Sequence, residues 1–439
     1  MVVGLGVSGY AAANALADIG AQVSVVEDAS GPALEERARL LRARGVEVET
    51  GGHGLVERGA DVAVVSPGIP PSAPVVERLG AAKVPIIGEV ELAFRLAECD
   101  FLAVTGTNGK TTTTALLAAM LAESGIESAA AGNIGLPLVD AVAKVPRGGA
   151  IAVEVSSFQL AAIEKFRPRV GVILNIAEDH TDWHGSLEAY ARAKGRIFLN
   201  QRASDIAMPN LEDDRAMELA RGARGRVVCF STRLAPRDGI GVEHGALVWR
   251  GDGVIPTTRI RLPGAAGLED TVAAAGAALE YGVDRDSVVR AIEGFQPLPH
   301  RLEVVGEVAG VTYIDDSKAT NPHATLAAVR GLDDVVLIAG GRSKGIDLTP
   351  LAAAAPPVVG VVALGEAADA VAAAFAERVP VVRVNSMDDA VARAAEMANG
   401  RGSVLLSPAC ASLDMYENYA ARGEAFARAV TRVARAEED

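Results

Sequence analysis

The sequence predicts an α/β protein made of three successive alternating segments. Short apolar runs alternate with stretches of helical spacing along most of the chain. Each of the first two segments also carries a glycine-rich loop between a strand and a helix. At 439 residues the chain has room for two to four domains, each with its own core.

In the first segment, residues 2–5, 23–27, 46–49, 62–65 and 85–87 read as strands, with helices expected at 11–19 and 33–44. The first strand runs into Gly4-Leu5-Gly6-Val7-Ser8-Gly9, a G-x-G-x-x-G. Its glycines allow close backbone approach, and the following helix N-terminus offers unpaired N–H donors to a phosphate. Glu27 stands where a ribose-binding acid would sit, so a nicotinamide dehydrogenase is one reading. Glycines that merely pack helix on strand are another. Ser66 and Gly68, in the loop after a strand, are further candidates for ligand contact.

The second segment opens at Phe101 and runs to about residue 295. Its first strand leads into Thr105-Gly106-Thr107-Asn108-Gly109-Lys110-Thr111-Thr112, and a helix over 113–123 follows, stopped near Gly125. This is the strand–loop–helix setting of a phosphate-binding loop: backbone N–H groups cradle phosphate, Lys110 neutralises it, and the Thr111 hydroxyl can hold Mg²⁺. Hydride transfer needs no ATP, so this loop weighs against a dehydrogenase. Glu154 ends the strand 151–155, at the sheet edge where ligands bind, and could hold a hard cation through oxygen. His180 follows the strand 170–174 at the same kind of edge. Residues 186–200 read as a helix capped by Ser186, with Tyr190 and Lys194 on one face. Residues 225–262 have turn signals and short β-like runs.

Pro297-Leu298-Pro299 marks a boundary, and the alternation resumes with strands at 311–314, 335–339, 361–364, 381–384 and 404–406.

Composition narrows the partners. A formal net charge of −14 and 4% aromatic residues argue against nucleic-acid binding. Three scattered cysteines and no C-x-x-C give neither a disulfide framework nor a zinc site, which fits a reducing, cytoplasmic setting. No apolar run reaches the length of a membrane span. The start lacks the basic region of a signal peptide and reads as a strand under way, so the natural chain is expected to begin a few residues earlier.

Taken together, these blocks resemble the ATP-dependent Mur ligases. The likeness rests on residues 4–9, 66–70, 105–112, 132–135, 154–160, 175–186, 189–198, 299–301, 315–321, 340–345 and 407–426, nearly the whole chain. The last three blocks are similar to the member that adds D-glutamate to UDP-N-acetylmuramoyl-L-alanine. The comparable block of the ligase adding diaminopimelate carries an arginine, where this chain has Ala319-Thr320-Asn321-Pro322-His323.

The resemblance implies three domains: a Rossmann-like sheet at 1–95 that binds the UDP-linked substrate, a central P-loop ATPase-type α/β domain at 96–297 for ATP and Mg²⁺, and a Rossmann-like C-terminal domain at 298–439 for glutamate. It implies a monomer acting through an acyl phosphate. Gly4, Gly6, Val7, Ser8 and Gly9 would then hold uridine diphosphate and not NAD. The loop Gly106–Thr112 would hold ATP, with Lys110 and Thr111 on the phosphates and the first Mg²⁺. Glu154 matches the metal carboxylate and His180 the ligand of a second metal, and Lys194 matches a lysine that the family carbamylates with CO₂. Asn133, Ser156 and Gln159 match positions near the muramoyl substrate, and Arg301 and Asp316 contacts to ATP. Lys318, Thr320, Lys344, Ser412, Leu413 and Tyr419 match the glutamate pocket. At 267–273 the chain departs from the pattern that reads adenine; Asp270 could accept from the adenine amino group or cap a helix over 272–279, and the cap is favoured. A sister ligase using L-glutamate and a nucleotide binder without catalysis remain open.

Overall fold

Valine-rich runs form strands where the alternation placed them. In the computed structural model every residue is described except His53, Gly331, Lys344 and Asp439; of Glu57, Asp182 and residues 436–438 only the backbone is described. The chain divides into two units. One comprises residues 1–176, 188–259 and 270–294, the other residues 177–187, 260–269 and 295–439.

In the first unit, Val2–Val3 (β1), Ser24–Glu27 (β2), Glu47–Thr50 (β3), Ala63–Val65 (β4) and Ile86–Gly88 (β5) form a parallel sheet in the order β3-β2-β1-β4-β5. The order reverses beside β1, so the loop Gly4–Gly9 leaves the sheet at a topological switch point, where such sheets bind ligands. A second parallel sheet contains Asp100–Thr105 (β6), Ser128–Gly132 (β7), Ala150–Glu154 (β8), Val170–Ile173 (β9), Ile206–Pro209 (β10) and Arg226–Val227 (β11), in the order β11-β10-β9-β6-β8-β7. Strands β8 and β9 are buried at every position, as expected of central strands covered on both faces. Phe230–Ser231 (β12), Ile240–Glu243 (β13), Ala246–Trp249 (β14) and Asp252–Pro256 (β15) make the small, mostly antiparallel sheet that the turn-rich stretch anticipated.

The second unit is one sheet of Glu303–Val308 (β16), Val311–Asp315 (β17), Val335–Gly340 (β18), Val358–Leu364 (β19), Val381–Val384 (β20) and Ser403–Leu406 (β21), ordered β16-β17-β21-β18-β19-β20. All neighbours run parallel except β16, which pairs antiparallel with β17. The two-residue period sends Val335, Leu337 and Ala339 of β18 to one core, and Val336 and Ile338 to the other, with Phe426.

Two expectations change. The phosphate-loop helix is Lys110–Glu123, starting three residues earlier than expected, directly after Gly109. Asp270 is no cap: the helix runs from Gly264 to Tyr281, and Asp270 lies buried inside it, accepting a 3.1 Å hydrogen bond from Thr113 Oγ1. Among the described residues no helix is long and apolar enough to cross a membrane.

Two buried acids anchor the helix Glu89–Leu96, and their surroundings drive them in opposite directions. Burial pushes the Glu89 carboxyl up to about 7, although the Val139 N–H donates to it at 2.9 Å. Burial acts on Glu91 too, but the N–H groups of Glu164, Lys165 and Phe166, each at 2.9 Å, and Arg95 overcome it and hold that carboxyl low. An acid raised in the folded state binds its proton more tightly there. Glu89 therefore withdraws stability as pH rises from about 4.5 to about 7, by up to about 1.4 kcal/mol per unit. Glu91, held low, supports the fold above its ordinary value and loses that support on acidification. Melting temperatures at pH 4, pH 5 and pH 8 check this: Glu89→Gln should lose less stability than the wild type on going from pH 5 to pH 8, whereas the destabilisation of Glu91→Gln should be nearly equal at pH 5 and pH 8 and shrink at pH 4.

Candidate active site

The phosphate loop is built by tight backbone contact. A Cβ on Gly106 would lie 2.9 Å from Leu174 Cβ, and one on Gly109 would collide with Asp270 Oδ1. Gly109 also has φ +83°, a left-handed conformation natural to glycine. On one side of the loop, Asn175 takes two of its donors: Thr107 N–H bonds the Asn175 carbonyl and Asn108 N–H the Asn175 Oδ1, both at 2.9 Å. Sequence reasoning gave those N–H groups to phosphate. The helix Lys110–Glu123 directs its first-turn N–H groups at the loop, and these remain suited to an anion.

Two lysines converge on this loop. Lys110 Nζ donates to the carbonyls of Gly106 (2.9 Å) and Thr107 (2.8 Å). Lys194, only 1% exposed, donates to the same Gly106 carbonyl at 2.7 Å. The helix Leu187–Gly195 carries Lys194 one turn beyond Tyr190, and its ammonium sits 4.6 Å from the centre of that ring. The Tyr190 hydroxyl shares a 3.2 Å hydrogen bond with Thr107 Oγ1, tying this helix to the loop. The expected shared face of Tyr190 and Lys194 is thus present, and a lysine that spacing could not separate from a surface one is fully enclosed.

Glu154 ends β8, which pairs with β6 so that Val104 lies opposite Glu154. Its side chain is 2% exposed. Oε1 accepts from the Asn133 amide at 2.7 Å, while Oε2 is buried with no hydrogen-bond partner. An unpaired buried carboxylate oxygen is costly and uncommon. A hard cation would relieve it, so the residue fits Mg²⁺. Asn133, expected near substrate, aims this carboxylate. Ser156 and Gln159, also expected there, form the capping box of the helix Ser157–Ala161. Thr111 is half-buried in the first turn of its helix and Thr112 is buried. His180 belongs to the second unit, where it has φ +53° and its Nε2 lies 3.7 Å from Asp179 Oδ1.

At the other glycine loop, Gly9 is a packing glycine: a Cβ there would collide with the Gly4 carbonyl. A Cβ on Gly4 would lie 2.7 Å from the Ser66 hydroxyl, which is buried without a partner. Gly6 and Gly68 face open space, and Val7 is 58% exposed; Ser8 is half-buried at the helix start. Glu27 does not wait for a ribose. Its carboxylate accepts the Leu5 N–H at 2.6 Å and the Ala29 N–H at 3.0 Å, bracing the loop. This removes the residue on which a dehydrogenase reading leaned.

In the second unit, Lys318 Nζ lies 3.7 Å over the Tyr419 ring, a cation–π contact. Ser412 is buried, Thr320 half-buried and Leu413 exposed; Lys344 lies outside the described residues. Arg301 is half-buried, and Asp316 is turned onto the Ser407 hydroxyl at 2.9 Å, its carboxyl pushed up to about 7 by burial.

The chain is similar to known proteins along nearly its whole length. Residues 1–88 match the MurD-like N-terminal domain of Mur ligases, residues 104–278 the Mur ligase middle domain, and residues 300–410 the Mur ligase glutamate ligase domain. The chain is 44% identical over 440 residues to the UDP-N-acetylmuramoylalanine–D-glutamate ligase of Frankia casuarinae, covering 98% of this chain and 93% of that one. Against the enzyme of the same name from Streptomyces coelicolor identity is 39% over 457 residues, covering 98% and 97%. Among solved structures, the UDP-N-acetylmuramate–alanine ligase of Thermotoga maritima superposes with TM-score 0.62 at 18% identity, covering 98% of this chain and 99% of that one. A pseudomurein peptide ligase of Methanothermus fervidus gives 0.61 at 17%, with the same coverage. At these identities the two structures speak for the fold.

The glycine geometry makes a separable prediction. Gly9→Ala should lower the melting temperature by several degrees, because backbone must move. Gly6→Ala, in open space, should leave it unchanged. Equal loss of stability in both would contradict this division between a packing glycine and a free one.

Proposed function

The chain belongs to the Mur ligase family, and we propose that it is the ATP-dependent ligase that adds D-glutamate to UDP-N-acetylmuramoyl-L-alanine in peptidoglycan precursor synthesis. One observation carries the reading: Lys110, Lys194 and the half-paired Glu154 are brought to one edge of a parallel sheet, around the phosphate loop. The sheet at 1–95 binds the UDP portion, residues 96–297 bind ATP with Mg²⁺, and residues 298–439 bring glutamate. Its need for ATP and a nucleotide-linked substrate favours the cytoplasm.

A carboxylate is a poor electrophile. The terminal phosphoryl group of ATP is transferred to the alanine carboxylate, giving an acyl phosphate and ADP. The glutamate amine, having shed a proton, attacks the acyl carbon; the tetrahedral intermediate expels phosphate and an amide remains. Lys110 and the helix N-terminus at 110–112 meet the charge on the phosphates. Glu154 with Thr111 would hold Mg²⁺, which supplies neutralisation of the phosphate oxygens; His180 would serve as a ligand of a second metal. Lys194, carbamylated, would turn a cation into an oxygen-bearing anion suited to a hard metal. Its enclosure favours a single fixed position for that group. Gly4, Gly6, Val7, Ser8 and Gly9, with Ser66 and Gly68, receive the diphosphate end. Asn133, Ser156 and Gln159 lie towards the muramoyl part, and Arg301 and Asp316 towards ATP. Lys318 and Lys344 meet the two carboxylates of glutamate, with Thr320, Ser412, Leu413 and Tyr419 around them.

Phosphate release from ATP and Mg²⁺ in the presence of UDP-N-acetylmuramoyl-L-alanine tests this. Release should depend on D-glutamate and fall by about two orders of magnitude or more in Lys194→Ala and Lys318→Ala. Release with L-glutamate alone would keep the ligase and overturn the stereochemistry. No release with either, in folded protein that binds ATP, would overturn the reading.

A further inference from the structure

The C-terminal helix Tyr419–Glu438 buries an arginine that no part of the chemistry above uses. Arg422 is 2% exposed and reaches two strand-end loops. Its Nε donates to Ser317 Oγ at 2.9 Å and its Nη2 to the Ser317 carbonyl at 2.7 Å. Its Nη1 donates to the Cys410 carbonyl at 3.0 Å. The Ser317 hydroxyl in turn donates to the Tyr419 carbonyl at 2.8 Å, closing the circuit onto the start of the same helix. A third loop is pressed against it: a Cβ on Gly341 would stand 3.2 Å from Arg422 Nη1. Next along the helix, a Cβ on Gly423 would collide with His300 Nδ1 and Asp315 Oδ2, so glycine lets the helix lie this close.

These three loops follow β17, β21 and β18, which are neighbours in the sheet and parallel. They leave the sheet at the same edge, and the loops after β17 and β21 carry Lys318, Ser412 and Leu413. The guanidinium has carbonyls and a hydroxyl as direct partners, and burial pulls it down to about 10. An apolar side chain there would leave two carbonyls and a hydroxyl without their donor. An ammonium, with no planar fork, could not reach all of them in this arrangement.

We propose that Arg422 is a positioning residue for the amino-acid pocket: it fixes the backbone from which Lys318 and Ser412 project, and so sets affinity for the incoming dicarboxylic amino acid without touching it. The proposal rests on the reading that those loops receive glutamate.

Arg422→Gln and Arg422→Lys test it in the full-length enzyme, with steady-state kinetics, melting temperature and hydrogen exchange measured together. In Arg422→Gln, KM for D-glutamate should rise about tenfold or more, with KM for ATP and for the UDP-linked substrate within about threefold of wild type. Exchange should quicken at residues 316–320 and 408–413 and stay unchanged in β18. Arg422→Lys should fall between the two. Parallel rises in all three KM values that track a lower melting temperature, in both variants, would reduce Arg422 to general stability and overturn the proposal, as would an unchanged KM for glutamate. If wild type itself shows no glutamate-dependent turnover, the ligase reading fails; the exchange rates then decide separately, since unchanged exchange at both loops would overturn the clamp.

Discussion

One carbonyl oxygen, that of Gly106, accepts hydrogen bonds from two lysine ammonium groups, at 2.9 Å from Lys110 and 2.7 Å from Lys194. Two cations on one acceptor repel each other and call for negative charge nearby. The fold supplies part of it through Glu154 on the adjacent strand, and leaves one oxygen of that carboxylate without a donor. A local cationic centre within a chain of net charge −14 suits one particular anion and not polyanions in general. The rest of the first unit serves this arrangement. Leu174 and Asp270 press the loop into shape, Asn133 orients the acid, and Tyr190 carries the helix that buries Lys194.

The two glycine loops share a motif type but divide their labour differently. At the first, Gly9 packs, Glu27 braces the backbone, and Gly6 faces open space. At the second, both glycines flanking the loop are required by packing, while lysine side chains bring the charge. A G-x-G-x-x-G followed by an acid therefore does not identify a dinucleotide site by spacing alone. What decides is where the acid's oxygens point.

Local signals were legible wherever chemistry is carried by neighbouring residues. The alternation, both glycine loops, the Glu154 strand end and the shared face of Tyr190 and Lys194 could all be read from spacing. Strands β7 and β10 could not, because Ser-Ala-Ala-Ala-Gly and Ile-Ala-Met-Pro lack β-branched density and gain their pairing from buried neighbours. Strand β16 was missed since it only extends an edge as an antiparallel hairpin partner. The misread cap at Asp270 has a clear origin. Its helix starts at Gly264 in an alanine- and glycine-rich stretch with weak start signals, and the acid's partner, Thr113, is 157 positions away. The pairs Asn133–Glu154 and Arg422–Ser317 likewise exist only once the sheets have set their register.

The central claim is that the unpaired oxygen of Glu154 is a metal ligand within an ATP site. It is tested most directly by titrating Mn²⁺, as a spectroscopic stand-in for Mg²⁺, into the ADP-bound protein and into Glu154→Gln. Gln keeps an acceptor for Asn133 and removes the charge. The account predicts binding about tenfold weaker or more in the variant, with no loss of thermal stability. Equal Mn²⁺ affinity in the two proteins would contradict it.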